Sequence, residues 1–590
     1  MGIKKYLWGD AMNGSEVLVN MLQKYGVKHI FGLPGDTGIS FYNALSCARG
    51  LTHIMCRDER HAGYMADAYA RVSGKPGVCE VPSGGGATYL LPAVAEADGS
   101  SIPIICLASD VPVSSDGKSA LTAIDQNAIF SNVSRFSYRL TTPDAIPFMV
   151  RKAFRMATSG RPGPSYLAFP ENVLSAPVDQ GVVDSELYAE EPCKECPSFR
   201  FRPEAGLVEK AVEVLLGSER PLIIAGGGVL LSKAWHELTK LAEHLSIPVA
   251  TTINGKGSIA ETSRFSIGVI GSNGAKFATN DAVREADAIL ALGSRLNSSI
   301  TMSGALFDKE AKVIQIDIDP AQLGNTIRCD VALNSDVWMA LKDINEKVRE
   351  RQASPGSESS WFVSVRDRID REFSQLEKYL AGENNSPLHP ALVVKALEET
   401  LPADCIIVSD AGYSTPYMSA YYRINNGGRF FIDPRAHGSL GYALPASIGI
   451  KMAKPDSTVV GLFGDGSLGM SIGELETVTR LNLPLIYVHF NNNSFGWIQN
   501  IQKIYCDGNY FSTNFDPSVD YVKIASAYGL NAVRAENRVS LKQALKEAQL
   551  SKQATFIEVM IPSGAELTPM VAPWLRDEAL PEENRKKDGY

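Results

Sequence analysis

Short apolar runs recur along the chain, and they end in small or polar residues. The first group is "KHIFGLPG", "GVCEVPSGGGAT", "IPIICLASD" and "PSYLAFPEN". The second is "PLIIAGGG", "IPVATTI", "AILALGSRL" and "KVIQIDIDP", and the third is "CIIVSDAGY", "TVVGLFGDGS", "LPLIYVHFNNN" and "ATFIEVMIPS". A strand covered on both faces reads as an unbroken apolar run, and strands alternating with helical stretches make parallel sheets. The expected fold class is therefore α/β, with three doubly wound parallel-sheet domains at 1–185, 204–347 and 365–575. Polar stretches reaching residue 203 and covering 349–360 read as linkers. Ligands of such sheets bind beyond the carboxyl ends of the strands, where the glycines, aspartates and asparagines gather.

The third group carries the most specific pattern. In "GDGSLGMSIGELETVTRLNLPLIYVHFNNNSFGW", Asp465 closes one apolar run and Asn492 the next. Neighbouring parallel strands would bring the two side by side. Mg²⁺ takes oxygen ligands in an octahedron and bridges protein oxygens to ligand phosphates. Asp465 supplies the charge, Asn492 an amide oxygen, and the carbonyl of Ser494 a third ligand. Gly464 and Gly466 let the backbone approach a diphosphate, to which Ser467 can donate. Gly-Asp-Gly alone is a common turn, and the paired asparagine is what makes the pattern specific.

Composition narrows the function class. A net charge of −9 speaks against a nucleic-acid partner, which needs a basic surface. No apolar run approaches the roughly 18 residues of a membrane span. The opening residues hold two lysines but no long apolar segment, so no secretory signal is expected. Nine scattered cysteines fit reduced thiols and a cytoplasmic location. Cys193 and Cys196 form a lone CxxC without the second pair that a zinc site requires.

The Gly-Asp-Gly to Asn-Asn stretch resembles the signature of thiamine diphosphate-dependent enzymes. Nearly the whole chain is similar to the acetolactate synthase-like branch of that family. The resemblance implies bound thiamine diphosphate and Mg²⁺. It places Glu59, in "CRDERHAGYMADAYARVSGKPGV", where the family has its catalytic glutamate, which bonds the cofactor's aminopyrimidine. Leu440 stands where a bulky wedge holds the cofactor bent, and Tyr413 and Ser414 of "DAGYST" stand near its diphosphate. "SGGGAT", with Gly85, matches a loop that approaches the reaction site. Substrate positions fall on Thr122, where the family often has Gln, on nearby Gln126, and on Trp497 and Ile498. Tyr89 replaces a usual asparagine, and His29 and His437 are near-site candidates. The family's sites lie between subunits, which implies a homodimer at least, with a homotetramer expected.

In the middle domain, Gly226, Gly227, Gly228, Arg295, Asp317 and Asp336 resemble positions with which the branch contacts FAD. The same glycines also serve to turn strands into helices, so FAD, ADP and no ligand all stay open. The implied activity is decarboxylation of a 2-oxo acid and transfer of the acyl anion equivalent to an acceptor carbonyl. The alternatives are a 2-oxo acid decarboxylase, a hydroxyketone- or diketone-cleaving enzyme, and a flavin-dependent oxidase.

Overall fold

A computed structural model describes residues 11–354, 356, 358–381 and 386–579. Much of the opening segment read for a secretory signal therefore lies outside the described residues, as do positions 355 and 357 of the second linker.

The chain builds three six-stranded sheets, in which every strand pairs parallel to its neighbours. The first sheet comprises β1 (His29–Gly32), β2 (Thr52–Met55), β3 (Gly77–Val81), β4 (Ile104–Asp110), β5 (Phe136–Arg139) and β6 (Ser165–Pro170). Its spatial order is β2-β1-β3-β4-β6-β5. The second comprises β7 (Pro221–Ala225), β8 (Val249–Thr251), β9 (Ser266–Val269), β10 (Ala288–Leu292), β11 (Lys312–Asp317) and β12 (Val331–Asn334), in the order β12-β11-β10-β7-β8-β9. The third comprises β13 (Ile406–Ser409), β14 (Phe431–Ile432), β15 (Val459–Gly464), β16 (Ile486–Asn491), β17 (Asn531–Ala535) and β18 (Thr555–Met560), in the order β14-β13-β15-β16-β18-β17.

The expected fold class is thus observed, and its apolar runs are the buried central strands. β3, β4, β6, β10 and β16 are buried at every residue, because helices cover both faces. In each sheet the first strand lies inside and the chain winds outward in both directions. That leaves a switch point between β1 and β3, between β7 and β10, and between β13 and β15. Such a point opens a crevice where two loops leave adjacent strands in opposite directions.

By packing, the chain divides into two units. One takes the described residues of Met1–Phe199 with Ile448–Pro455, and the other those of Arg200–Ser447 and Asp456–Tyr590. No helix among the described residues is long and apolar enough to cross a membrane.

Candidate functional site

In the third sheet, beside the switch point, β15 and β16 run in register, with Gly464 opposite Phe490. The next residues therefore leave side by side. The Asn492 backbone N–H donates to Asp465 Oδ2 at 3.0 Å, and Asp465 is almost wholly buried at the start of the helix Asp465–Ser471. Its other oxygen, Oδ1, lies 3.0 Å from His489 Nε2. The Asn492 side-chain oxygen accepts from the backbone N–H and the hydroxyl of Ser494, at 3.2 and 3.1 Å. One carboxylate, one amide and the turn at Ser494 thus converge within a few residues, as the strand pattern required.

A cavity of about 220 Å³ opens over this cluster. Tyr413, Leu440, Asp465, Asn492, Trp497 and Ile498 all line it, together with Gly464, Gly466, Ser467 and Ser494. Leu440 is carried between Gly438 and Gly441, whose φ values of 78° and 77° favour glycine. Gly466 has no room for a side chain, since a Cβ there would come within 2.3 Å of Phe495 Cε1. The Trp497 ring packs on Trp574 at 4.5 Å between centroids, whereas Ile498 is exposed.

Two expected contacts point elsewhere. Ser414 is buried, with its hydroxyl 2.8 Å from that of Ser409, and it does not line the cavity. Tyr413 gives its ring to the cavity, but its hydroxyl donates to the Leu567 carbonyl. Two residues of the site were not anticipated. His489 is fully buried, and its Nδ1 has no partner among the described residues. Asp410 follows β13, and its Oδ2 accepts the Ala443 N–H at 2.9 Å while Oδ1 has no hydrogen-bond partner among the described residues. Burial pushes the Asp410 carboxyl up to about 7, against hydrogen bonds from Ala443 and Ser467.

In the first unit, Glu59 opens the helix Glu59–Ser73 behind the capping Asp58, whose side chain accepts the Arg60 N–H. Glu59 is buried, and the loss of water raises its carboxyl pKa. The glycine loop folds over it, because a Cβ on Gly86 would lie 3.1 Å from Glu59 Oε1. Gly84, at φ 64°, lies against Thr122, and the Thr122 hydroxyl is 2.8 Å from that of Ser83. Gly85 is exposed with open space around it, and Tyr89 is exposed.

Gln126 points into the first unit rather than to its surface. It is fully buried, its amide donates to Asp110 Oδ1 at 2.9 Å, and its oxygen accepts from Tyr166 at 2.7 Å. His29 sits among the rings of Phe31 and Tyr69, and burial lowers its pKa. His437 is exposed. A further unanticipated group is Glu80 on β3, which accepts the Tyr42 hydroxyl. Burial, with a smaller contribution from Glu59, pushes its carboxyl up to about 8.

In the second sheet the glycines have a packing reason of their own. A Cβ on Gly226 would come within 2.3 Å of the Gly293 carbonyl, and one on Gly228 within 2.6 Å of Gly293 Cα. Gly227 is roomier, 3.4 Å from the Asn254 carbonyl. Asp336, one of the positions that resemble FAD contacts, caps the helix Val337–Arg351. Its Oδ1 accepts from Arg200 at 2.8 Å and from the Met339 N–H, and its Oδ2 from Ser232 at 2.8 Å. Asp317 closes β11 and accepts the Asp319 N–H at 2.9 Å. Arg295 follows β10, half-buried. Cys193 packs in the first core.

Comparison with known proteins reads the same three sheets. The sequence model for the thiamine pyrophosphate enzyme N-terminal TPP binding domain matches residues 12–129, the central domain 208–344, and the C-terminal TPP binding domain 410–559. A probable acetolactate synthase large subunit of Methanocaldococcus jannaschii is 34% identical over 570 residues, covering 95% of this chain and 94% of that protein. The chain belongs to the thiamine pyrophosphate enzymes, in their acetolactate synthase-like branch. A probable acetolactate synthase large subunit of Methanococcus aeolicus is 33% identical over 584 residues, covering 95% of each chain. Acetolactate synthase isozyme 3 large subunit of Escherichia coli is 29% identical over 570 residues, covering 95% of this chain and 97% of that protein. The family's two TPP-binding models thus fall on the first and third sheets, and its central model on the second.

Proposed function

We propose that this thiamine diphosphate-dependent carboligase requires Mg²⁺, decarboxylates a 2-oxo acid and joins the remaining acyl unit to an acceptor carbonyl. The observation that carries this reading is the hydrogen bond from the Asn492 N–H to Asp465 Oδ2 at the ends of β15 and β16. It puts a buried carboxylate and an amide oxygen at the mouth of a cavity, the donor set Mg²⁺ takes beside a diphosphate.

The residues fit the groups the family uses. Asp465, Asn492 and the Ser494 carbonyl would hold the metal, and Gly464, Gly466 and Ser467 would face the diphosphate. Leu440 would prop the cofactor from the side. Glu59 would meet the pyrimidine ring, in the family manner from a second copy of the chain. Thiamine diphosphate, when bound, supplies the carbon acid that adds to a carbonyl and takes up the electrons left when CO₂ departs. The protein's part is to move a proton and keep water out. Glu59, with its pKa raised by burial, is the residue that would give and retake that proton. The Trp497 ring, backed by Trp574, closes one side of the cavity and limits the size of the substrate.

On this reading the enzyme is at least a homodimer, with a homotetramer expected, in the cytoplasm. The relatives named as large subunits support a search for a partner subunit. For the middle domain, Gly227, Arg295 and Asp317 are the residues that would meet FAD, and visible absorbance of the purified protein decides that point.

The departures at Thr122 and Tyr89 support a second reading for the acceptor step, plain decarboxylation or diketone cleavage. The experiment is a panel of 2-oxo acids and diketones scored by product mass, CO₂ release and O₂ uptake. A ligated product with CO₂ and no O₂ uptake supports the proposal. An aldehyde alone, or O₂ uptake with each turnover, overturns it.

A further inference from the structure

A second cavity, of about 320 Å³, lies in the second unit, away from the residues discussed so far. Its walls are β9, the edge strand of the middle sheet, the start of the helix Phe277–Glu285, and the helices Ser360–Ala381 and Ser414–Tyr421. Most charges on its wall are already matched. Lys256 bonds both oxygens of Glu261, at 2.7 and 2.6 Å, and the Tyr422 carbonyl at 2.7 Å. Arg366 pairs with Asp370, Arg423 with Glu398, and Glu377 with Lys395. Glu372, close by, takes the N–H groups of Phe277 and Ala278 at 3.2 and 2.9 Å.

Lys276 is left over. It is 5% exposed and lines the cavity, and among the described residues its ammonium has neither a hydrogen bond nor an ion pair. Its nitrogen sits 3.5 Å from the centroid of the Phe373 ring. Gly268, at φ 96°, keeps the space beside it clear, since a Cβ there would stand 3.6 Å away. On the same wall the hydroxyls of Ser266 and Ser419 are buried without hydrogen-bond partners among the described residues. A buried ammonium and two buried hydroxyls left unpaired are costly, and they are more costly together in one place. Burial, the dominant cause, pulls the Lys276 pKa down to about 7.

We propose that this cavity is a binding site for a small hydroxy- or oxo-carboxylate, whose carboxylate pairs with Lys276 and whose oxygens meet Ser266 and Ser419. Glu372 is the opposing charge that acts most strongly on Lys276, but its oxygens are turned to the N–H groups of Phe277 and Ala278 and make no direct pair with the ammonium, which leaves the ammonium's hydrogens for an anion in the cavity. A volume of about 320 Å³ exceeds what a bare inorganic anion fills, and Ile267, Ile369 and Phe373 give a short carbon body somewhere to lie.

The test is the acetylation rate of Lys276 by acetic anhydride in the holoenzyme, followed by peptide mass spectrometry at constant ionic strength. The additions are lactate, 2-hydroxyisobutyrate, 2-oxobutanoate, inorganic phosphate or chloride. Saturable protection of at least about fivefold by one or more of the carboxylates, and not by chloride or phosphate, is the expected result. Ser419→Ala, which keeps the ammonium, should raise the protecting concentration about tenfold. Unprotected Lys276 throughout, protection by phosphate alone, or an unchanged protecting concentration in Ser419→Ala would overturn the proposal. Glu59→Gln should protect as wild type does, which separates this site from the one over Asp465.

Discussion

His489 Nε2 lies 3.0 Å from Asp465 Oδ1, while the other oxygen of Asp465 takes the Asn492 N–H. The imidazole thus fixes the rotation of the carboxylate from behind, inside the sheet, and leaves its open side toward the cavity. Side chains that orient a metal's ligands commonly matter about 10–100-fold in metal affinity. His489→Phe, which keeps the packing against Tyr521 and Phe556, should weaken Mg²⁺ by that order in a cofactor-binding titration. Unchanged Mg²⁺ dependence would show that Asp465 needs no such support.

Glu59→Gln should leave thiamine diphosphate affinity near wild type and lower turnover by roughly 10²–10⁴. The amide fills the same buried volume but cannot exchange a proton. Calorimetry and steady-state rates on the same preparation check both halves.

Glu80 predicts a pH-dependent stability. Its carboxyl titrates at about 8 when folded, against a usual value of 4.5. Between those values the folded state holds a proton that the unfolded state has lost. Its stabilising contribution is therefore complete below 4.5 and is lost as the pH rises through 8, with a slope of up to about 1.4 kcal/mol per pH unit. Urea denaturation from pH 5 to 8 should show this decline in wild type and a flatter profile in Glu80→Gln.

Much of the third-sheet cluster could be read from sequence. Apolar runs gave its strands, and parallel pairing then put Asp465 beside Asn492 without further information. Glu59 was legible only through the resemblance of its stretch to the family, since an acid between Arg57 and Arg60 carries no signal of its own. What escaped depends on partners distant in the chain. Gln126 reads as a polar residue near a loop, and only the fold shows Asp110 and Tyr166 closing around its amide. Ser414 turns back to Ser409, and Asp336 is held by Arg200 from far along the sequence. His489 and Glu80 lie inside apolar runs, where a single polar residue hardly disturbs the pattern. Their side chains nevertheless face groups at the strand ends.

Lys256 and Glu261 form a nearly dry ion pair, with side-chain exposures of 1% and 5%. Lys256→Met would strand the carboxylate and should cost about 3–5 kcal/mol in urea unfolding. Lys256→Met combined with Glu261→Gln should recover part of that loss, because no uncompensated charge remains. An equal loss in both variants would assign the effect to packing.

The central claim is that Asp465 and Asn492 hold a metal-bridged diphosphate, and calorimetric titration of thiamine diphosphate tests it most directly. Wild type should bind when Mg²⁺ is present and lose that binding in EDTA. Asp465→Ala, folded by circular dichroism, should show no Mg²⁺-dependent binding at all. Wild-type affinity in Asp465→Ala at the same Mg²⁺ concentration would contradict the account.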